Sequence, residues 1–338
     1  MMQYIRPLVQ IAAARPESAL PLAGGWGWFT HVEILSRDAA PQVVAASALT
    51  VAQTERLVTP RAPVTGLTLD APRIMGIVNT TPDSFSDGGV HESLSDAVAG
   101  GLDMIKNGAH ILDIGGESTR PGASVVDPAI EIQRTAPVIQ ALRGQGACCP
   151  ISIDTRKTSV AQAALAAGAD LINDVAGFTY DAALAPLAAQ TGAPVCVMHA
   201  QGDPATMQKD PQYGDVLLDV YDFLEGQITA LEQIGIPRSR ILADPGIGFG
   251  KTLAHNLALL ARISLFHSLG TGILLGASRK RFIGTIGGGE GAARAPGSIG
   301  VALAGLAQGV QMVRVHDVEQ TAQAIALWRA STTGSWHD

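Results

Sequence analysis

From about residue 73 onward, short apolar runs ending in a polar residue alternate with longer stretches of helical spacing. The runs are Ile74–Asn79, His110–Gly115, Ile151–Asp154, Leu171–Asp174, Val195–His199, Ile241–Asp244, Gly272–Ser278 and Gln311–His316. Each is near strand length and rich in Ile, Val and Leu, as strands buried on both faces should be. Between them the spacing predicts helices over Ser93–Asn107, Pro128–Leu142, Thr158–Ala167, Asp181–Gln190, Asp215–Ile234, Ala254–Leu269, Ala295–Gln308 and Val318–Ala330. Gly108, Gly168, Gly192, Gly235 and Gly270 stand where left-handed C-caps are expected. Eight β–α alternations predict an α/β fold, a closed (β/α)8 TIM barrel over residues 71–332. A doubly wound open sheet is the rival, but it would usually need fewer units.

Residues 1–70 do not share this rhythm. Trp26, Trp28 and Phe29 cluster beside Gly24, Gly25 and Gly27, His31–Ser36 reads as a strand, and Thr59–Pro63 reads as a linker. No chemistry motif occurs there. The segment reads as a small N-terminal extension of unknown role, with a partner-binding segment as the alternative.

Composition narrows the classes. Hydrophobic residues make up 47% and charged residues 16% of the 338, which excludes a disordered chain and is ample for a large core. The formal charge of −7 gives no global attraction to nucleic acid or an anionic membrane, so an anion site must be a local cluster. Cys148, Cys149 and Cys196 cannot make a disulfide framework and read as buried, reduced thiols, with the 148–149 pair entering a strand. The N-terminus has no signal-peptide layout and no apolar run reaches about 18 residues, so a cytoplasmic protein without a membrane span is expected.

In a barrel of this kind, catalysis is at the C-terminal ends of the strands. Those positions hold Asn79, Asp113 and Glu117, Asp154, Asn173 and Asp174, His199, Asp244, Ser278 with Arg279 and Lys280, and Arg314 with His316. Asp113, Asp154, Asn173 and Asp244 are acceptors suited to a donor-rich heterocycle or to a hard cation. Arg279, Lys280, Arg314 and His316 come from the seventh and eighth strands, where barrels commonly bind phosphate through charge-assisted bonds. The polar loops Thr80–Gly89 and Ser118–Ser124 read as mobile covers for a substrate. Pro245–Thr252 (PGIGFGKT) nearly spells a P-loop, but Pro245 stands where the first glycine belongs, and a tight turn shaping the pocket is the better reading. His199 has no second His or Cys at ligand spacing and reads as a packing or pocket-wall residue.

The stretches MGIVNTTPDSFSDGG (75–89), LDIGGESTRPGA (112–123), ISIDTRK (151–157), INDVAGF (172–178), VMHAQGDPATMQ (197–208), LADPGIGFGKT (242–252), GASRKRFIG (276–284) and VRVHDV (313–318) occur in the order of one family. From about Arg73 to Leu327 the chain resembles the dihydropteroate synthases, a pterin-binding TIM-barrel family. The resemblance implies condensation of 6-hydroxymethyl-7,8-dihydropterin pyrophosphate with p-aminobenzoate, giving 7,8-dihydropteroate and pyrophosphate in folate biosynthesis. It implies that Asp154, Asn173 and Asp244 read the pterin edge, with Lys280 on the ring carbonyl side. It places Arg314 beside the pterin and makes it, with His316 and Asn79, the pyrophosphate holder. It makes Asn79 the metal-side residue for Mg2+, and Asp113 and Asp83 part of the loop and rim network. Phe85, Thr119, Arg120, Pro121 and Ser278 would form the p-aminobenzoate pocket.

On this reading Asp154, Lys280, Arg314 and His316 carry the catalysis, and no protein nucleophile is required. Ile247 departs from the aromatic residue frequent in the family. The family is usually dimeric through late helices, and the apolar, alanine-rich segment 299–308 is compatible with a homodimer. Two alternatives stand beside the synthase. One is a pterin-binding methyltransferase of the same barrel type, which has less need for the two loops and the SRK cations. The other is a non-catalytic pterin-binding paralogue.

Overall fold

The computed structural model describes residues 3–80, 90–118, 122–203 and 206–335. Strands β1 (Tyr4–Pro7), β2 (Leu20–Pro21), β3 (Trp28–Phe29), β4 (His31–Leu35) and β5 (Gln42–Ala45) and helix α1 (Val51–Val58) precede the barrel. Strands β1, β4 and β5 form an antiparallel sheet with Tyr4 opposite Leu35 and His31 opposite Ala45, and β2 pairs with β3. Thr50 and Gln53 close a reciprocal cap on α1. Ile5, Leu22, Phe29, Val32 and Leu57 give this segment a small core of its own.

The barrel alternates β6 (Arg73–Asn79), α2 (Val90–Lys106), β7 (Ile111–Gly115), α3 (Pro128–Gly144), β8 (Ile151–Asp154), α4 (Thr158–Ala166), β9 (Leu171–Asp174) and α5 (Leu184–Thr191). It continues with β10 (Val195–Met198), α6 (Val216–Gln233), β11 (Ile241–Asp244), α7 (Leu253–Ala261), β12 (Gly272–Leu275), α8 (Arg281–Gly287), α9 (Ala295–Ala307), β13 (Met312–Val315) and α10 (Val318–Thr333). Strands β6 to β13 close in sequence order, and each neighbouring pair is parallel. The five glycines expected as caps all have positive φ, between 71° and 108°.

Three expectations change. The strands expected to end at His199, Ser278 and His316 stop earlier, at Met198, Leu275 and Val315, so His199 and His316 are the first residues past their strands and Ser278 the third. The single helix expected over Ala254–Leu269 breaks at Arg262, after which Ile263–Leu269 continues as a 3-10 helix with every residue buried. The break lets this turn lie between the barrel and the N-terminal sheet, where Arg262 reaches Glu33 and Ser264 Oγ donates to Pro7 O. Third, Cys148 is exposed and Cys149 half-buried ahead of β8; only Cys196 is core.

Residues 3–63 dock on α6 and on this 3-10 turn. Tyr4 OH donates to Asp222 at 2.9 Å and meets the Tyr221 ring edge-on, while Trp26 Nε1 donates to Leu306 O at 3.0 Å. The next residues belong to the barrel interior. Val64, Leu67 and Leu69 cover the N-terminal mouth and pack on Met75, Ile111, Leu171, Cys196, Leu242, Leu274 and Met312. Side chains two residues apart on a strand share a face. Two residues above this apolar floor, on the same inward face, stand Asp113, Asn173, Asp244 and Arg314. The alternation puts the polar layer over a dry plug.

Candidate active site

At the centre of the C-terminal mouth, Arg314 lies between two carboxylates. Its Nε donates to Asp113 Oδ2 at 2.5 Å and its Nη2 to Asp154 Oδ2 at 2.6 Å. Asn173 Nδ2 adds a bond to the same Asp113 oxygen at 3.1 Å. The strand register explains the meeting in part: Asp154 lies opposite Asn173 on β8 and β9, while on β7 Gly115 lies opposite Asp154 and leaves room above Asp113, two residues earlier. The acceptor and cation halves expected at the rim therefore interlock. Asp113 is fully buried, yet its Oδ1 has no hydrogen-bond partner. A buried carboxylate oxygen left unpaired is costly, and such atoms are few in folded proteins. A ligand donor reaching this layer would satisfy it.

Asp244 extends the acceptor layer from β11. It is buried, and its Oδ1 accepts Gly246 N at 2.7 Å. Burial raises its carboxyl, against the pull of Lys280, the Gly246 N–H and Arg314. Burial also raises the Asp154 carboxyl, to about 7, against the pull of Arg314. The guanidinium of Arg314 is itself raised: burial opposes its charge, but Asp113 and Asp154 outweigh that cost.

Lys280 caps this side of the mouth. Its Nζ donates to Ile247 O and lies 4.3 Å from the centroid of the Phe249 ring. Burial lowers its amine to about 8, against the attraction of Asp244. Ile247 serves here through its carbonyl, which does not depend on the side chain. Ser278 Oγ lies 3.0 Å from His316 Nδ1 and accepts His316 N at 3.2 Å, so the ends of β12 and β13 are tied together. Arg279 is different from the cation the sequence suggested. Its guanidinium is paired with Asp317, and its backbone has φ of 56°, so it shapes the turn between β12 and α8. Asn79 sits half-buried at the end of β6, opposite Gly115. Phe85, Asp83, Thr119, Arg120 and Pro121 lie outside the described residues.

A second charged cluster borders the site, and the sequence reading picked out only Glu117 from it. Lys157 Nζ donates to Glu117 Oε2, Glu131 Oε2 and Val126 O, each at 2.6 Å. Arg156 Nε donates to Glu117 Oε1 at 3.0 Å, Thr155 Oγ1 to Glu131 Oε1 at 2.7 Å, and Val126 N to Glu117 Oε2 at 2.7 Å. Burial works to raise the Glu117 carboxyl, but Lys157, the Val126 N–H and Arg156 hold it below its ordinary value. The cluster joins Glu117 to Val126, on either side of positions 119–121 in the sequence. Its sequence signal was the TRK that follows Asp154, together with Glu131 near the start of α3.

His199 is buried against Phe223, its ring edge-on at a centroid distance of 4.9 Å, and its Nδ1 lies 2.8 Å from Lys251 Nζ. Burial, then the neighbouring lysine, lowers the imidazole to about 2, so the ring is neutral.

Comparison with known proteins shows the family. The model of the pterin binding enzyme family matches residues 75–316. The chain belongs to the dihydropteroate synthase family of pterin-binding enzymes. It is 46% identical over 267 residues to the dihydropteroate synthase of Escherichia coli K12, covering 79% of this chain and 94% of that one. Against the enzyme of Neisseria meningitidis serogroup B it is 48% identical over 268 residues, covering 78% and 93%. Among solved structures, the Xanthomonas albilineans dihydropteroate synthase with 4-aminobenzoic acid matches with a TM-score of 0.75 and 46% identity, over 80% of this chain and 98% of that one. The same organism's enzyme in complex with 7,8-dihydropteroate matches with a TM-score of 0.73 and 43% identity, over the same shares. The family match begins at residue 75, so strands β1 to β5 and the Val64–Leu69 plug lie outside it.

Proposed function

We propose that this chain is a dihydropteroate synthase: it condenses 6-hydroxymethyl-7,8-dihydropterin pyrophosphate with p-aminobenzoate, giving 7,8-dihydropteroate and releasing pyrophosphate. One observation carries the reading. Asp113, Asp154, Asn173 and Asp244 gather around Arg314 above an apolar floor, and one Asp113 oxygen is still unpaired. A pterin is flat and presents several N–H donors on one edge. The acceptor layer matches that edge, and the unpaired Oδ1 is the atom that gains most from it.

In the reaction a C–O bond to pyrophosphate breaks and a bond from the arylamine nitrogen to the methylene carbon forms. Negative charge grows on the leaving oxygen and positive charge on the methylene. Asp154 stabilises the cationic methylene, and Arg314 and His316 stabilise the departing anion in a site where few waters compete. Lys280, held at Ile247 O, donates toward the ring carbonyl side. The arylamine is a sufficient nucleophile when neutral, so no side chain need become one. Its pocket is assigned to Phe85, Thr119, Arg120, Pro121 and Ser278.

Magnesium belongs to the same reading, with Asn79 as its protein contact. Among the described residues no group of three or more His, Cys, Asp or Glu could hold a metal ion. The half-buried Asn79 amide is a hard oxygen donor, which suits a Mg2+ ion that takes most of its ligands from phosphate and water. When bound, the ion would neutralise charge on the pyrophosphate. The proposal extends to a cytoplasmic homodimer, supported by the half-buried Val301 and Leu303 on α9 and the exposed Leu327 on α10. No helix among the described residues is long and apolar enough to cross a membrane.

The test is an assay of p-aminobenzoate consumption that depends on the pterin pyrophosphate, followed together with pyrophosphate release, with and without Mg2+. Stoichiometric consumption and release are expected. A folded chain that binds the pterin but consumes no p-aminobenzoate would be the non-catalytic paralogue instead.

A further inference from the structure

The PGIGFGKT stretch also holds a buried amine, Lys251, that the chemistry above does not use. Lys251 is 3% exposed, and its Nζ lies 2.8 Å from His199 Nδ1, 3.1 Å from Phe249 O and 3.4 Å from His199 O. None of these partners is a carboxylate. An amine buried without a counter-ion costs stability, so a methionine of similar length would serve a merely packed position better. What Lys251 supplies is geometry: it ties the end of β10 to the loop that follows β11.

That loop is pressed flat on its neighbour. Gly246 has φ of 67°, and a Cβ there would lie 1.8 Å from His199 O; at Gly250 (φ 61°) it would lie 2.4 Å from Gln201 O. The loop also presents the two groups that hold Lys280, the Ile247 carbonyl and the Phe249 ring. A Cβ on Gly248 would come within 2.9 Å of Lys280 Cδ, so the lysine stem lies directly along the loop backbone. A shift of this loop by a fraction of an ångström would therefore move the Lys280 ammonium with it.

We propose that Lys251 is a positioning residue for the pterin side of the reaction, fixing the 245–250 loop on His199 so that Ile247 O and Phe249 hold Lys280 toward the ring. The inference rests on the synthase reading. It also explains the near P-loop: the lysine of the motif points inward to His199 and Phe249, not outward to a phosphate. Burial, with a smaller contribution from Lys280, keeps the Lys251 amine well below its ordinary value.

The experiment is a double-mutant cycle in the full chain. Lys251→Met is expected to raise KM for the pterin pyrophosphate by about tenfold, while KM for p-aminobenzoate changes by less than about twofold. Affinity for 6-hydroxymethylpterin, measured by calorimetry, should fall in parallel. In a Lys280→Met background the same substitution should add almost nothing, because its effect passes through Lys280. Full additivity of the two, or an unchanged pterin affinity in folded Lys251→Met, overturns the inference. Should Lys251→Met not fold, His199→Phe keeps the ring against Phe223 but removes the Nδ1 partner. It is expected to weaken pterin binding by about threefold, and no change there overturns the inference equally. A wild-type chain that neither turns over nor binds the pterin overturns the synthase reading and this inference together. An active wild type with an unchanged variant overturns this inference alone.

Discussion

Two clusters of buried charge lie side by side at the barrel mouth, and they are built to opposite standards. Around Lys157, all three ammonium hydrogens have acceptors, and each oxygen of Glu117 and Glu131 has a donor. Around Arg314, two carboxylates share one guanidinium, a third (Asp244) stands close enough to be affected by it, and Asp113 Oδ1 has nothing. Charge and burial are similar in the two. Only the filling of hydrogen-bonding capacity separates them. A saturated cluster has nothing left to offer a ligand and holds the chain in place, in this case by joining Glu117 to Val126. An unsaturated cluster pays in stability for capacity that a substrate can use.

The largest effect should come from breaking the saturated cluster. Lys157→Met leaves Glu117 and Glu131 facing each other with their shared cation gone. Removal of one partner from a buried ion network costs about 3–5 kcal/mol, so a large fall in the urea midpoint is expected. A loss below about 1 kcal/mol would mean that water already reaches this cluster. Arg314→Ala is the corresponding cut in the other cluster, and its main effect should be on turnover. A loss of about 100- to 1,000-fold in kcat is expected, as for deletion of a group that stabilises transition-state charge. The cooperative unfolding transition should survive, because Asp154, whose carboxyl burial already raises to about 7, can take up a proton when the guanidinium is gone. An unchanged kcat would place the anion site elsewhere.

The comparison also marks what the sequence could reveal. Strand and helix alternation, the cap glycines and the rim residues are local patterns, and all eight barrel strands lie where the apolar runs placed them. The inward row was also legible in principle: Ile111 to Asp113, Leu171 to Asn173, Leu242 to Asp244 and Met312 to Arg314 each repeat an apolar floor residue followed two positions later by a polar one. Pairing was not legible. Arg279 and Arg314 look alike as strand-end cations, yet one is spent on Asp317 and the other lies at the centre of the site. Lys157, Glu131 and Lys251 were missed for the same reason. Lys157 and Glu131 lie 26 positions apart, and Lys251 and His199 lie 52 apart, so only closure of the barrel brings them together. The role of residues 64–69 as the floor's plug was likewise invisible, since three apolar side chains in a loop carry no period.

A smaller effect tests the unsaturated side by pH. Lys280 is held at about 8 by burial, opposed by Asp244. Below that pH it is an ammonium, which on the proposed reading donates to the pterin with a full charge; above it the charge is lost. The kcat/KM for the pterin pyrophosphate should therefore fall as pH rises through about 8, approaching tenfold per unit. Lys280→Arg should abolish this alkaline limb by keeping the charge, whatever it does to the absolute rate. A limb that persists unchanged in the arginine variant would assign the titration to another group.

The smallest effect calibrates the rest. Arg37, on the N-terminal extension, bridges Asp219 and Asp222 on α6, both at 2.7 Å. In composition this is the Arg314 arrangement again: one guanidinium with two carboxylates. The difference is exposure, for the Arg37 side chain is 41% exposed and that of Arg314 19%. Water screens the outer group, and its two bonds hold a long side chain at an entropic cost. Arg37→Ala should accordingly lower stability by no more than about 1 kcal/mol, with kcat and both KM values unchanged. A shift in KM for the pterin would show more than a misjudged salt bridge. Asp219 also accepts the N–H groups of Gly214 and Asp215, and the neighbouring Tyr213 hydroxyl donates to Gly250 O. A kinetic effect of Arg37 would therefore mean that the extension reaches the loop holding Lys280 through this chain of contacts, and that exposure alone does not separate structural charge from functional charge in this barrel.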